Sequence, residues 1–323
     1  RFVLANAGHS GRWDMKFMGW AIRRGSNGTM DGVASGFREP NGIGVFGPER
    51  DVFVTDNQGH WTAVCELNHL RPGKYFGRPS STPDSKKLYE GRATFTPPAI
   101  WFPYSLARSI SGMAEIRDNR FGPFKGQLLV GDFQNALVTR VFLEKVNGEY
   151  QGAVFSFITG FRSGVNRLSF GPDGNLYVGG LQRTWTSIAP DPASLERVTF
   201  TGRTPFSIRK VEAKPDGFLL TFTEPANPSA ADPDNFDVSQ FRYTYHSDYG
   251  SPRFNHAGEK DSQTPVEVTD ATLSANRLEL RLSLSEWRKG HVTQVRCFDV
   301  TSEAGKDLWH DTFHYTLNQI PKP

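Results

Sequence analysis

A glycine turn followed by a short apolar strand that ends in valine recurs along the first 200 residues of the chain. The clearest copies read GPERDVFVTD, KGQLLVGD and GPDGNLYVGG, and their last valines are Val54, Val130 and Val178. A weaker copy, RFVLAN, ends its strand at Val3. Repeats of ~40–50 residues built from short strands are typical of β-propeller blades, which bury their faces only against neighbouring blades. The repeats predict about four blades, which make either a small ring or one that lacks part of its N-terminal side.

The pattern of the sequence changes near residue 204. Seven short segments of alternating polar and apolar residues follow, separated by turn signals such as KPDG and SAN. In one of them Leu280 and Leu282 alternate with Arg281, as a half-buried strand requires. About 115 residues with this many strands are typical of an immunoglobulin-like sandwich, here of the fibronectin type because no Cys–Trp–Cys pattern is present. We therefore predict an all-β chain, with a propeller over residues 1–203 and a sandwich over residues 204–323.

Composition excludes several classes of protein. Hydrophobic residues make up 37% of the chain and aromatic residues 13%, enough for large cores. A net charge of only +3, without a dense Lys/Arg run, argues against a nucleic-acid partner, and the lack of a long apolar run argues against a membrane span. Two distant cysteines, Cys65 and Cys297, indicate neither a disulfide framework nor a metal site. Because the chain begins without Met, we interpret it as a processed form or a fragment.

Four motifs follow one another between residues 36 and 79: GFREPNG, VFVTDNQGH, CELNHL and PGKYFGRP. In order and spacing they resemble motifs of the soluble sugar dehydrogenases that use pyrroloquinoline quinone (PQQ), a family of β-propellers also called glucose/sorbosone dehydrogenase-like. Segments 96–113, 125–141 and 164–178 resemble later parts of that family, so the resemblance covers roughly residues 20–200. The chain looks closest to the large multidomain dehydrogenase-like proteins of planctomycete-type bacteria.

This resemblance implies a site for PQQ and Ca²⁺. Ca²⁺ takes oxygen ligands that include backbone carbonyls, and guanidinium groups attract an acidic quinone. The family pattern departs at Glu39, where an asparagine is usual, and it leaves the catalytic histidine without a match. The implied cofactor-binding residues are Arg38, Asn41, Asn135, Asn166 and Arg167, and the implied metal-binding residues are Gly59 and His60, through their carbonyls, and Glu66.

Three further residues are candidates for binding a substrate: Trp61, Asp132 and Trp185. Each follows a predicted blade strand, and aromatic planes pack well on the apolar face of a sugar ring. The alternatives are core packing for the tryptophans, a surface position for Asp132, and a bracing role for Arg38. The polar cluster at residues 56–61 is equally explained by a solvated turn.

Two functions remain open from the sequence. The first is a sugar or polyol dehydrogenase with PQQ and Ca²⁺, which passes electrons to a haem partner such as a c-type cytochrome. The second is a non-catalytic scaffold that binds carbohydrate or protein within a larger multidomain chain. Both readings imply a periplasmic or extracellular location by family analogy. The Tyr-rich stretch 243–256 is expected to dock onto the propeller or onto a partner.

Overall fold

The computed structural model of the chain describes residues 2–4, 16–79, 95–182 and 187–322. Within these ranges the regular structure consists of 22 strands and three short 3-10 turns, at Asn119–Phe121, Pro228–Ala231 and Pro233–Asn235. The predicted all-β class is confirmed. In the part of the chain described here, no helix is long and apolar enough to span a membrane.

The first 200 residues form four groups of consecutive antiparallel strands. The first group is β1 (Phe2–Leu4), β2 (Trp20–Arg24) and β3 (Met30–Ser35), and the second is β4 (Pro40–Phe46), β5 (Asp51–Asp56), β6 (Cys65–His69) and β7 (Ile100–Phe102). The third is β8 (Ile110–Glu115), β9 (Leu128–Asp132), β10 (Leu137–Val146) and β11 (Glu149–Ile158), and the fourth is β12 (Val165–Phe170), β13 (Leu176–Leu181) and β14 (Ala193–Val198).

The first strands of three of these groups, β4, β8 and β12, lie side by side. The Thr55 hydroxyl donates a hydrogen bond across to the carbonyl of Ser111 at 2.8 Å, and the Ser111 hydroxyl donates to the carbonyl of Val165 at 2.7 Å. The recurring valine lies in the second strand of each of these groups, at Val54, Val130 and Val178. This arrangement is consistent with a propeller-like fold, and the number of blades stays a prediction.

The second part of the chain forms two sheets that face one another. One contains β15 (Ile208–Lys214), β16 (Gly217–Phe222), β19 (Val268–Leu273) and β20 (Glu279–Leu284). The other contains β17 (Phe236–Phe241), β18 (Thr264–Pro265), β21 (His291–Cys297) and β22 (Thr312–Leu317). Phe218 of one sheet packs edge-on against Phe313 and Tyr315 of the other, with ring centroids 5.7 and 5.0 Å apart. The immunoglobulin-like classification of this pair of sheets stays a prediction.

The two parts of the chain share one sheet. Strand β22 pairs antiparallel with β11, with Gly152 opposite Thr316 and Phe155 opposite Phe313. The result is a continuous eight-stranded sheet in the order β18-β17-β21-β22-β11-β10-β9-β8. Phe155 accordingly belongs to the same buried cluster as the core of the second part. The predicted boundary at residues 203–204 stays a prediction, but the sheet itself continues across it.

A buried arginine adds to this junction. Arg140 of β10 is 1% exposed, and its Nη2 donates to the carbonyl of Ile208 at 2.8 Å, just where β15 begins. Its Nη1 donates to Gln127 Oε1 at 2.6 Å, and its guanidinium lies 4.2 Å from the ring centroid of Phe124 and 4.1 Å from that of Phe155. Burial lowers the pKa of Arg140 to about 9. The group is therefore still charged at neutral pH, and carbonyls and ring faces solvate it.

Candidate functional site

The polar cluster that follows β5 forms a tight turn, here called the polar turn (residues 56–62). Gly59 and Thr62 exchange two backbone hydrogen bonds, at 2.9 and 3.1 Å, which close the turn. Trp61 has a φ of 62°, in the left-handed region, and is half buried. The turn is therefore a defined structure between β5 and β6, and it presents its carbonyls in a fixed direction.

Asp56 anchors the start of this turn. The carboxylate is completely buried and accepts hydrogen bonds from the backbone N–H groups of Arg38, Glu39 and Asn57, at 2.7, 2.7 and 2.9 Å. Burial raises the pKa of Asp56 to about 6, while the three N–H groups act in the opposite direction. Asp56 thus fixes the backbone that leads into β4 against the end of β5.

Two arginines and a backbone amide bind the carbonyls of the polar turn. Arg38 is 1% exposed, and its Nη1 donates to the carbonyl of Gln58 at 2.7 Å. Arg78 Nη1 donates to the carbonyl of His60 at 3.0 Å, and the N–H of Gly250 donates to the carbonyl of Gly59 at 3.1 Å. Each of the three successive carbonyls in this turn therefore accepts a hydrogen bond from the chain itself.

A segment from the second part of the chain, here called the covering loop (residues 243–251), lies over the polar turn. Besides the bond from Gly250, the N–H of Trp61 donates to the carbonyl of His246 at 2.9 Å, and His60 Nδ1 lies 2.8 Å from the carbonyl of Ser247. The Tyr249 ring lies 5.2 Å from the Arg38 guanidinium. The Tyr-rich stretch thus docks on the first part of the same chain.

A buried carboxyl pair lies beneath the covering loop. Glu66 is opposite Asp56 in the β5–β6 register, and neither side chain is exposed. Asn68 Nδ2 donates to Glu66 Oε1 at 2.9 Å, and the Tyr245 hydroxyl donates to Glu66 Oε2 at 3.1 Å. Burial and the neighbouring Asp56 raise the pKa of Glu66 well above its usual value. The site thus favours the protonated form of Glu66, which links β6 to the covering loop through Tyr245.

The Glu66→Gln variant is expected to be more stable than the wild type at alkaline pH. A carboxyl group whose pKa is raised on folding stabilises the protein fully below its unfolded-state pKa, and it loses that contribution as pH rises toward the folded-state pKa. The wild type should therefore lose up to about 1.4 kcal/mol per pH unit above pH ~4.5, whereas glutamine does not ionise. Urea unfolding between pH 5 and 9 measures the difference. The exposed Glu279→Gln variant is the control, and equal pH slopes for both variants would refute the assignment.

A second cluster, here called the mouth cluster, consists of Asn41, Asn166 and Arg167. Arg167 Nη1 donates to Asn41 Oδ1 at 2.8 Å and to Asn166 Oδ1 at 2.9 Å. Arg167 reaches across β8 at Gly112, where a Cβ would stand 3.0 Å from the carbonyl of Asn166. The structure therefore brings together three of the five residues that were predicted to bind the cofactor, at the start of strands β4 and β12.

The other predicted site residues have different surroundings. The carboxylate of Asp132 is completely buried and accepts hydrogen bonds from the N–H groups of Arg108, Ser109 and Asn135, at 2.7, 2.6 and 2.6 Å. This is the arrangement that Asp56 has in the preceding group of strands, and it differs from the substrate contact that we expected. Asn135 Nδ2 donates to the carbonyl of Leu106 at 3.3 Å. Trp185 lies outside the described residues.

The residues present do not fit the cofactor and ion that the resemblance implies. The carbonyls of Gly59 and His60, the expected Ca²⁺ ligands, bind an amide and a guanidinium of the chain. The Arg38 side chain is 2% exposed, its Nη1 lies 3.4 Å from Glu39 Oε2, and a Cβ on Gly59 would overlap its guanidinium. Among the described residues, no group of three or more His, Cys, Asp or Glu side chains could hold a metal ion.

Sequence reasoning missed two residues of this site. Arg78 is the last residue but one of the motif PGKYFGRP, yet nothing in that motif indicates that its guanidinium reaches back to His60. Tyr245 is 179 positions from Glu66, and only the fold brings the two together. The one available signal was the concentration of tyrosines in the covering loop, which predicted a docking surface without naming the other side.

Residues 24–184, just under half of the chain, match the model of the family described as Glucose / Sorbosone dehydrogenase. No curated protein matches the chain.

Several solved structures are similar to part of the chain. A glucose dehydrogenase-type oxidoreductase from Thermus thermophilus is 20% identical, with a TM-score of 0.44 and coverage of 61% of each chain. The apo-form of the soluble aldose sugar dehydrogenase from Escherichia coli is 18% identical, with a TM-score of 0.42 and coverage of 55% of this chain and 56% of that one. The PQQ-bound aldose sugar dehydrogenase from Streptomyces coelicolor is 18% identical, with a TM-score of 0.40 and coverage of 59% and 57%. The matches span less than two thirds of the length of each of these proteins.

The family match overlaps all four motifs between residues 36 and 79, and it agrees with the resemblance predicted from them. It also contains the polar turn and the mouth cluster, whereas the covering loop lies beyond its end. Over residues 24–184, this chain is similar to the glucose/sorbosone dehydrogenase family.

Proposed function

We propose that this chain is a non-catalytic, carbohydrate-binding scaffold segment of a larger, multidomain, extracytoplasmic protein related to the sugar dehydrogenases. One observation carries the proposal: the chain itself binds every carbonyl of the polar turn from residue 58 to residue 60. Because these carbonyls already accept hydrogen bonds from the chain, an ion would have to compete with the chain's own donors for the same oxygens.

The carbohydrate class of ligand follows from the mouth cluster and its surroundings. Amide and guanidinium groups of Asn41, Asn166 and Arg167 offer both donors and acceptors to sugar hydroxyls. Tyr104 and Tyr249 are exposed, at 45% and 58%, and aromatic faces pack on sugar rings.

The second candidate is a sugar or polyol dehydrogenase with PQQ and Ca²⁺, which passes electrons to a haem partner. The family match over residues 24–184 favours it. For this candidate, Gly250 of the covering loop would have to release the carbonyl of Gly59, and Arg78 would have to release that of His60, before the two carbonyls became available. A periplasmic or extracellular location and a relation to planctomycete-type multidomain proteins belong to both candidates.

Titration of the protein with PQQ and Ca²⁺ separates the candidates. The scaffold proposal expects no change in the visible absorption of PQQ, no rise in melting temperature and no dye reduction with aldoses. A PQQ-dependent sugar dehydrogenase treated identically is the positive control. Saturable PQQ binding with aldose-dependent dye reduction would overturn the scaffold proposal and establish the second candidate.

A further inference from the structure

A groove of about 260 Å³ lies on the face of the eight-stranded sheet where β11 meets β22. Its floor is formed by cross-strand neighbours: Val154 is opposite His314, and His314 is opposite Gln294. Ser156 and Thr312 lie two positions further along the same strands, so their side chains share this face. The groove, here called the seam groove, exists only because the two parts of the chain share a sheet. It lies outside the polar turn and the mouth cluster.

The seam groove has both polar and apolar lining residues, and its hydrogen-bonding groups are oriented. Gln294 Oε1 accepts from Arg253 Nη1 at 3.2 Å and lies 3.1 Å from His314 Nε2. Because an amide oxygen only accepts, Nε2 carries the proton and Nδ1 is an acceptor. Burial lowers the pKa of His314 to about 3, so the imidazole is neutral at physiological pH. Arg253 Nη2 also approaches Ser105 Oγ, at 3.4 Å, at the rim.

These groups together select a class of ligand. A neutral imidazole acceptor, a guanidinium donor and the Ser156 hydroxyl match the alternating donors and acceptors of a polyol. Leu106 and Val154 supply an apolar wall for the C–H groups of a sugar ring. The volume lies just under the ~300 Å³ at which pockets for small ligands begin, which restricts the ligand to about the size of one sugar ring. None of the described residues that line the groove is acidic, so a cation is not favoured.

We infer that the seam groove is a binding site for a small neutral polyhydroxylated molecule, of the monosaccharide or alditol class, held by His314, Gln294 and Ser156, with Arg253 behind Gln294 and Ser105. This inference rests on the proposed function for its ligand class. It adds a second site, formed by residues from both parts of the chain: four of the seven lining residues lie inside the segment similar to the dehydrogenase family, and three lie beyond it.

Nuclear magnetic resonance with ¹⁵N-labelled protein tests the inference, with D-glucose and D-mannitol as probes. We expect saturable shifts of the His314 imidazole nitrogens and of the Ser156 and Thr312 amides. Ser156→Leu places a larger apolar side chain in the groove and should weaken binding at least about tenfold. The control is Thr269→Leu, the same kind of change at an exposed position of β19. The amide spectrum of each variant reports whether it is folded.

The outcomes separate this inference from the proposed function. The inference is supported if the chemical-shift changes are confined to the seam groove, are lost in Ser156→Leu and are kept in Thr269→Leu. Saturable shifts only at Asn41 and Arg167 would overturn the seam groove and leave the carbohydrate-binding proposal in place. Equal affinity of both variants for the probes would likewise overturn the inference about the seam groove. If neither probe binds anywhere on the protein, both the inference and the carbohydrate-binding proposal are overturned.

Discussion

Replacing Arg38 with alanine is expected to lower the free energy of unfolding by about 3–5 kcal/mol, the range for removing one partner from a buried charged network. The side chain is 2% exposed, donates to the carbonyl of Gln58 at 2.7 Å and fills the space under Gly59. Alanine would leave a cavity, a buried carbonyl without its donor, and the buried carboxylate of Asp56 without the cation that favours its charge. Urea unfolding followed by tryptophan fluorescence at pH 7 measures the loss.

Two further variants serve as comparisons for Arg38→Ala. Arg38→Lys keeps the charge but has a smaller head group, so we expect an intermediate loss of about 1–3 kcal/mol. Arg108 lies over the Tyr104 ring on the surface, and Arg108→Ala should cost less than about 1 kcal/mol. If Arg38 instead served a bound cofactor, its removal would leave the stability of the cofactor-free protein within about 1 kcal/mol of the wild type. That result would contradict the bracing role.

Replacing Asp132 with alanine is expected to cost about 2–4 kcal/mol of stability. The carboxylate accepts three backbone hydrogen bonds, from Arg108, Ser109 and Asn135, and it is completely buried. Each buried N–H left without an acceptor costs about 1–3 kcal/mol, partly recovered when water or the loop rearranges. Hydrogen exchange should show the amides of the three donors losing protection, while the amides of β10 keep theirs.

Asp132→Asn is the matched control because it keeps one acceptor oxygen in the same place. Two of the three bonds converge on Oδ2 and one on Oδ1, so an oriented amide preserves the pair from Arg108 and Ser109. We expect the asparagine variant to lose about half as much stability as the alanine variant. Equal losses of stability in the two variants, or a loss below about 0.5 kcal/mol in the alanine variant, would show that the three hydrogen bonds to Asp132 contribute little.

The repeat pattern predicted more of the fold than any single motif did. Val54, Val130 and Val178 occupy the second strand of successive groups, because glycine turns and alternating apolar residues specify strands locally. The aspartate two positions after the valine, Asp56 or Asp132, repeats as well, and in both places it accepts hydrogen bonds from the backbone that leads into the first strand of its own group. The sequence contained that regularity, but it gave no sign that the carboxylates point inward.

The order of the motifs between residues 36 and 79 also placed the chain correctly near the sugar dehydrogenases over residues 24–184. The individual site residues were less predictable. Asn41, Asn166 and Arg167 do meet, since they start neighbouring inner strands. Arg38 and the carbonyls of Gly59 and His60 lie beneath a loop from the second part of the chain, and no local pattern indicates which loop covers them.

The sequence by itself determined the all-β class, the positions of the turns and repeated strands, and the similarity to the sugar dehydrogenases over residues 24–184, because each depends on residue type and short-range spacing. Only the tertiary structure decided that β11 and β22 join the two parts into one sheet, that Arg78 and Gly250 bind the polar turn, and that Tyr245 meets Glu66. These contacts join residues up to 191 positions apart, and they arise from pairing two exposed strand edges and burying polar groups that need partners. A local pattern of strand and turn residues carries no information about which distant segment will supply the hydrogen-bonding partner of a buried polar group.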